Sequence, residues 1–147
     1  MKIRRVESRD ADAWLRMRQE LWPDTGDSHA REIKRFFSGV RRDPLEVLLA
    51  FDEGGDAIGF AELSIRSHVD GCSTGRVGYL EGWYVSPAFR RRGVGRSLVA
   101  AAEEWARSQG CLEFGSDTPI DNATSAAAHQ ALGFEETARV HCFRKSL

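Results

Sequence analysis

The sequence predicts a mixed α/β (α+β) fold in a single domain, with helices packed around one central sheet. Helical and strand-type apolar periods succeed one another in the order β-α-α-β-β-β-α-β-α-β. A length of 147 residues suits one hydrophobic core, so we expect residues 1–147 to form one domain. Hydrophobic content of 41% and charged content of 29% are ordinary for a soluble globular chain.

Apolar periods and helix-breaking residues together give the expected boundaries of the elements. Trp22-Pro23 ends the first helix, because the residue before proline disfavours the helical conformation. Gly54-Gly55 predicts a hairpin turn, and Val40 is expected on the inward face of the second helix. The expected elements are a strand over Lys2–Val6, a helix from Ser8 or Asp10 to Leu21, a helix over His29–Val40, strands over Glu46–Phe51, Ala57–Arg66 and Val77–Val85, a helix over Gly95–Gln109, a strand over Cys111–Ser116, a helix over Asn122–Leu132 and a strand within Phe134–Arg144.

Charge and cysteine content exclude several classes of protein. A net charge of -1 gives no overall attraction to nucleic acid or to a membrane, so we expect neither as a partner. Cys72, Cys111 and Cys142 are odd in number and lack CxxC spacing, so neither a disulfide framework nor a metal site is expected. Reduced thiols indicate a cytoplasmic protein. No signal peptide or membrane-spanning apolar run is apparent.

The most informative segment is a basic glycine loop between a strand and a helix. Arg90–Gly95 reads RRRGVG and follows the strand that ends at Val85. The first amides of a helix have no internal partner, and the helix dipole favours negative charge there. The glycines let a ligand approach the backbone, so a phosphate or pyrophosphate is the expected ligand. The alternative is an ordinary strand-to-helix turn with solvated arginines.

This loop and a second motif resemble those of the GCN5-related N-acetyltransferases (GNAT). Arg90–Gly95 matches the family's R/Q-x-x-G-x-G/A loop, and Asn122, His129 and Leu132–Phe134 match the spacing of N-x6-Y-x3-G-F. Within the family, the chain is most similar to the aminoglycoside 6'-N-acetyltransferases. The segments that show this similarity include Leu21–Pro23, Phe60-Ala61, Ser64–Arg66, Leu80–Gly82, Ser116–Thr118 and His129–Thr137.

The resemblance implies acetyl-CoA as cosubstrate and direct attack of an amine on its thioester. The Val85 amide is the implied donor to the thioester carbonyl. His129 stands where most relatives have tyrosine, either as the acid that protonates the leaving thiolate or as a packing residue. The implied cofactor-binding residues are Trp83, Tyr84, Val85, Arg90, Arg91, Arg92, Gly93, Val94, Gly95, Arg96, Ser97 and Asn122.

A polycationic amine substrate requires carboxylates in its pocket. Glu81 and Asp117 match acidic positions of the resembling enzymes, which implies that they bind ammonium groups and that one of them accepts the proton. The alternatives are a surface residue or a salt bridge to Arg66 for Glu81, and a turn or cap aspartate for Asp117. Three weaker candidates for the substrate site are Trp22 as an apolar wall, and Glu135 and Glu136 as added negative charge. Their alternatives are core packing for the tryptophan and a solvated strand end for the glutamates.

The predicted function is therefore acetylation of the 6'-amine of aminoglycosides, an antibiotic-resistance activity. One alternative is the same chemistry on another small amine or on a protein N-terminus. A second alternative is a non-catalytic coenzyme A-binding module. The resemblance also implies a homodimer that pairs through its C-terminal strands.

Overall fold

In a computed structural model that describes residues 1–24 and 26–147, five strands and four α-helices form an α/β fold. The elements are β1 (Lys2–Arg5), α1 (Ala11–Leu21), α2 (Ser28–Phe37), β2 (Glu46–Phe51), β3 (Ala57–Arg66), β4 (Val77–Val85), α3 (Val94–Ser108), β5 (Glu113–Ser116) and α4 (Ala123–Ala131). Short 3-10 turns at Ser8–Asp10 and Pro87–Phe89 lie before α1 and after β4. The predicted fold class is confirmed, and most element boundaries agree within a few residues.

One mixed sheet has the strand order β1-β2-β3-β4-β5. β1 to β4 pair antiparallel, whereas β5 runs parallel to β4 because α3 returns the chain across the sheet. The pairing of β4 with β5 extends from Val77 opposite Glu113 to Leu80 opposite Ser116. Beyond this point the described residues place no strand on the β5 side of 81–85, so a gap opens between β4 and β5.

Apolar clusters on the two faces of the sheet hold the helices. Leu98, Ala102 and Trp105 of α3 pack on one face. Trp14 of α1 and Phe36 of α2 pack on the other, with their ring centroids 5.3 Å apart in an edge-to-face contact. The helices therefore bury the apolar stripes that their 3.6-residue period predicts, and the sheet between them is fixed on both sides.

The structure corrects two predicted features. α2 ends at Phe37, so Val40 lies in the turn after the helix and is 59% exposed instead of facing inward. The strand predicted within Phe134–Arg144 does not form, and 135–147 is exposed without regular secondary structure. A strand exists only through pairing with another strand, and in the described residues this segment pairs with none.

Among the described helices, none combines the length and the apolar composition needed to cross a bilayer.

Candidate active site

Glu81 is the extra residue of a β-bulge in β4. Leu63 stands opposite Leu80 and Glu62 opposite Gly82, so the register of the described strands leaves Glu81 without a partner on β3. Bulges bend a strand and re-aim a side chain, and they are frequent beside active sites. Glu81 is predicted from the sequence as a site residue, but the bulge is not, although the adjacent Gly82 is a signal for it.

The Glu81 carboxylate is held by three donors. Ser64 Oγ donates to Oε1 at 2.6 Å, and Arg66 donates from Nε to Oε1 at 2.9 Å and from Nη2 to Oε2 at 2.8 Å. This two-point contact is the strong form of an arginine–carboxylate pair, and it raises the pKa of Arg66. The salt bridge considered for Glu81 therefore exists, and it leaves the Glu81 side chain 16% exposed.

Asp117 follows β5 and joins the same group of side chains. Tyr79 Oη donates to Asp117 Oδ2 at 2.7 Å, and the Arg66 guanidinium carbon lies 3.6 Å from the centroid of the Tyr79 ring. Burial, followed by the hydrogen bond to Asp117, raises the pKa of Tyr79, so its hydroxyl remains a donor. The two predicted carboxylates thus lie on either side of Arg66 and Tyr79.

Trp22 lies against the backbone next to Glu81. A Cβ atom at position 82 would be only 2.6 Å from Trp22 Cη2, so the close approach requires Gly82. The indole also stacks on His29, with ring centroids 6.1 Å apart. Trp22 is half-buried, so it both packs and presents an apolar surface beside Glu81.

Asp43, just before β2, is an acidic residue that the sequence analysis did not select. Burial, and next the charge of Glu81, raises the pKa of Asp43. No local pattern marks this aspartate, since its relation to Glu81 arises from the sheet. It adds a third carboxylate to the electrostatic surroundings of Arg66.

The glycine loop forms an open helix end. Ser97 N donates to Gly93 O at 3.0 Å to form the first turn of α3, so the amides ahead of it, on 94–96, point out of the helix. Gly93 has a φ of 83°, and a Cβ there would meet nothing within 4 Å. Arg91, Arg92 and Arg96 are exposed around this opening. The arrangement can accept an anionic phosphate group.

Arg90 differs from the other three arginines. Its Nε donates to Val85 O at 2.8 Å, and the guanidinium carbon lies 5.8 Å from the Tyr84 ring centroid. The guanidinium therefore fixes the end of β4, whereas the predicted role was cofactor binding. The Tyr84 side chain lies on the opposite face of the sheet from α3 and hydrogen-bonds Glu20, so its predicted cofactor contact could involve only backbone atoms.

The Val85 amide faces the gap between β4 and β5. Ser86 N donates to Ile58 O at 2.8 Å and so points toward β3. Because successive backbone amides of a strand point to opposite sides, the Val85 N–H points away from β3. Trp83 lines the same region, with Nε1 donating to Gly95 O at 3.2 Å. A Cβ at Gly95 would lie 3.1 Å from Trp83 Cζ2, so this glycine permits the helix end to approach the strand closely.

His129 lies where the two strands separate. Its Nδ1 is 2.7 Å from Ser125 O, a group that only accepts, so we assign the proton to Nδ1. Its Nε2 is 2.8 Å from Ser116 Oγ, which is also 3.2 Å from Leu80 O. A neutral ring accepts the serine proton, whereas a charged ring donates to Ser116, which then donates to Leu80 O. Both protonation states are therefore hydrogen-bonded.

The remaining predicted residues lie at the ends of α4. Asn122 caps the helix, since its Oδ1 accepts from Ser125 N at 3.0 Å; its predicted contact with the cofactor remains a prediction. Glu135 and Glu136 follow α4 and are exposed. The hydrogen bond from Arg139 lowers the pKa of Glu136. The contacts of the described residues do not bring either glutamate to Glu81.

Comparison with known proteins identifies the family. Residues 12–134 match the Acetyltransferase (GNAT) family. The chain belongs to this family. This GNAT chain is 54% identical over 146 residues to aminoglycoside N(6')-acetyltransferase type 1 of Klebsiella aerogenes, a match that covers 99% of this chain and 96% of the relative. It is 42% identical to the enzyme of the same name from Salmonella typhimurium, with 99% of both chains covered.

Solved structures share the fold of this GNAT chain. The apo aminoglycoside 6'-N-acetyltransferase AAC(6')-IG from Acinetobacter haemolyticus has a TM-score of 0.90 at 40% identity, covering 100% of this chain and 99% of the neighbour. AAC(6')-Iy in complex with the bisubstrate analog CoA-S-monomethyl-acetylneamine has a TM-score of 0.88 at 38% identity, covering 99% and 98%. The similarity therefore extends over the whole length of these proteins.

Proposed function

We propose that this chain, acting as one N-acetyltransferase domain over residues 1–147, transfers the acetyl group of acetyl-CoA to the 6'-amine of aminoglycosides and thereby confers resistance. The observation that carries this proposal is that Arg66 pairs with Glu81 and lies over Tyr79, whose hydroxyl donates to Asp117, near the point where β4 and β5 separate. Paired carboxylates suit a polycationic sugar. Full-length relatives named for this activity, at 54% and 42% identity, support the assignment.

The residues present fit acetyl-CoA. The open space at Gly93, the outward amides of 94–96 and the exposed Arg91, Arg92 and Arg96 suit its pyrophosphate. The unpaired side of 81–85 offers backbone partners for the amides of its pantetheine arm. Asn122 at the start of α4 is a further candidate partner for that arm.

Acetyl-CoA supplies a thioester carbonyl that a neutral amine can attack, with a thiolate as leaving group. The Val85 N–H faces the gap and would donate to the carbonyl oxygen as negative charge develops there. The described geometry requires no cysteine nucleophile, since the amine itself forms the new bond. The chain therefore acts through positioning, charge stabilisation and proton transfer.

Glu81 and Asp117 bind the ammonium groups, and one of them, directly or through water, removes the proton from the attacking amine. An ammonium between carboxylates is favoured in its charged form, so tight binding opposes deprotonation. Trp22 contributes an apolar wall beside Glu81. Glu135 and Glu136 contribute only negative electrostatic potential near the substrate site.

His129 is the proposed source of the proton for the leaving thiolate. It lies at the strand separation, its ring 5.2 Å from that of Trp83, and its hydrogen bonds accommodate both protonation states. The edge-to-face contacts with Trp83 and Phe134 also suit the packing role. A His129→Ala variant with wild-type turnover at every pH would leave only that second role.

Thiol release with kanamycin-type substrates tests the proposed activity. Wild-type protein should turn over aminoglycosides that have a 6'-amine and spare those with a 6'-hydroxyl. Glu81→Gln and Asp117→Asn should each lower kcat/KM at least about tenfold, on the order of 1.4 kcal/mol. Turnover of spermidine or peptides without aminoglycoside activity would contradict the substrate assignment, and coenzyme A binding without any thiol release would indicate a binding module.

We further propose a homodimer located in the cytoplasm. The exposed segment 135–147 contains Val140, Phe143 and Leu147, which are 65%, 93% and 116% exposed. β5 is an edge strand of the sheet, and such an edge can accept a strand from another chain. Three unpaired cysteines suit a reducing compartment.

A further inference from the structure

Arg66 is the cation that pairs with Glu81 in the structure. Its guanidinium donates two hydrogen bonds to Glu81 and lies over the Tyr79 ring, whose hydroxyl donates to Asp117. Hydrogen bonding to Glu81, together with the charges of Glu81 and Asp117, favours the charged guanidinium. The acidic site is thus already partly neutralised by a cation of the chain itself.

The Arg66 side chain can leave this position. It is 42% exposed, whereas Glu81 is 16% exposed, so the arginine forms the solvent side of the pair. Its long aliphatic stem needs only rotamer changes to place the guanidinium in water. Glu81 keeps its hydrogen bond from Ser64 Oγ when Arg66 departs, so the carboxylate stays oriented.

We propose that Arg66 determines substrate specificity by competing with the substrate ammonium for Glu81, so that binding requires its displacement. This inference rests on the proposed function of the site and adds a residue to it. Arg66 acts through Glu81 and is a positioning residue, not a catalytic one.

The competition selects for substrates with several positive charges. A substrate with one ammonium group only replaces the Arg66 guanidinium at Glu81, so it gains little binding free energy. A polyamine places its first ammonium at Glu81 and further ones near Asp117 and Asp43, so the exchange becomes favourable. Rejection of the wrong ligand by a competing charge is a recognised route to specificity.

Calorimetry with neamine, on protein saturated with coenzyme A, tests this proposal. Arg66→Met keeps an apolar chain over Tyr79 and should lower the dissociation constant about fivefold or more, since no cation has to be displaced. The monoamine 6-amino-6-deoxyglucose, which has no second ammonium to offset the displacement of Arg66, should gain kcat/KM by a larger factor than neamine does, so that the preference for neamine falls. Arg66→Lys retains the competing charge but not the two-point contact, so its affinity for neamine should lie between those of the wild type and Arg66→Met.

Arg107→Met is the matched control. Arg107 is an exposed arginine of α3 with longer ion pairs to Glu103 and Glu104, so the variant loses the same charge away from the site. It should bind neamine like the wild type. If Arg66 merely holds Glu81 in place, Arg66→Met binds neamine more weakly than both controls, and the proposal is wrong.

A structure of the wild-type protein with neamine gives a second readout that needs no variant. The proposal requires that both hydrogen bonds between Arg66 and Glu81 are broken in the complex. An intact pair beside bound neamine, in a protein that acetylates neamine, overturns the competition while leaving the proposed function standing. Failure of the wild type to bind or acetylate neamine contradicts both.

Discussion

At the scale of the residue, the most unusual ionisable group is Glu62 on β3. It is 2% exposed, accepts a hydrogen bond from Trp14 Nε1 at 2.8 Å and lies 2.9 Å from Arg18 Nε. Arg18 also pairs with Glu32, and its guanidinium carbon lies 5.3 Å from the centroid of the Trp22 ring. Burial raises the pKa of Glu62 to about 7, because it outweighs the attraction of Arg18.

This raised pKa predicts a pH-dependent stability. The folded protein holds the Glu62 proton more tightly than the unfolded chain does, because the pKa of an unperturbed glutamate is 4.5. The stabilisation that comes from the protonated carboxyl is therefore complete below pH 4.5 and is lost as the pH rises through about 7. In the wild type, the free energy of unfolding should fall by up to about 3 kcal/mol as the pH rises over this range. Glu62→Gln should abolish this fall, because glutamine does not titrate. Urea unfolding of both proteins from pH 5 to pH 8 measures the difference, and parallel curves would contradict the assignment.

At the scale of the element, the start of α3 is the proposed binding site for the pyrophosphate of acetyl-CoA. Gly93 and Gly55 offer a matched comparison, since their φ values are 83° and 88° and a Cβ at either would meet nothing within 4 Å. Gly55 lies in the hairpin turn between β2 and β3, away from the proposed site. Substitution at either position therefore introduces the same backbone strain without a clash.

Gly93→Ala and Gly55→Ala should each lower the free energy of unfolding by about 1 kcal/mol. Only Gly93→Ala should also weaken coenzyme A binding, by about tenfold, because its methyl group enters the space that the pyrophosphate would fill. Thermal unfolding and calorimetric titration with coenzyme A separate the two effects. Equal affinity of the two variants for coenzyme A would place the pyrophosphate elsewhere.

At the scale of the whole molecule, the segment 135–147 exposes large apolar side chains, namely Val140, Phe143 and Leu147. The segment contacts the rest of the described chain at Thr137, whose Oγ1 donates to Asp70 O at 3.2 Å. Beyond that point its large apolar side chains are exposed. Such a surface favours association with a second copy.

We therefore expect the wild-type protein to sediment as a dimer and a Val140→Lys, Phe143→Lys double variant to sediment as a monomer, since charge opposes burial of this segment. Val40→Lys is the control, because Val40 is another exposed apolar residue, 59% accessible, outside the segment. Sedimentation velocity distinguishes the species. A monomeric wild type, or a control that also dissociates, contradicts the assignment of the interface.

Sequence alone determined nine of the ten predicted elements, the glycine loop at the head of α3 and the family, because these depend on residues close together in the chain. Tertiary structure decided the bulge that aims Glu81, its contact with Arg66 across two strands and the hydrogen bond between His129 and Ser116. Those relations depend on strand register and on the separation of β4 from β5, which local periodicity does not specify. The same limit explains the missing last strand, since a strand needs a neighbour that only an assembled sheet can supply.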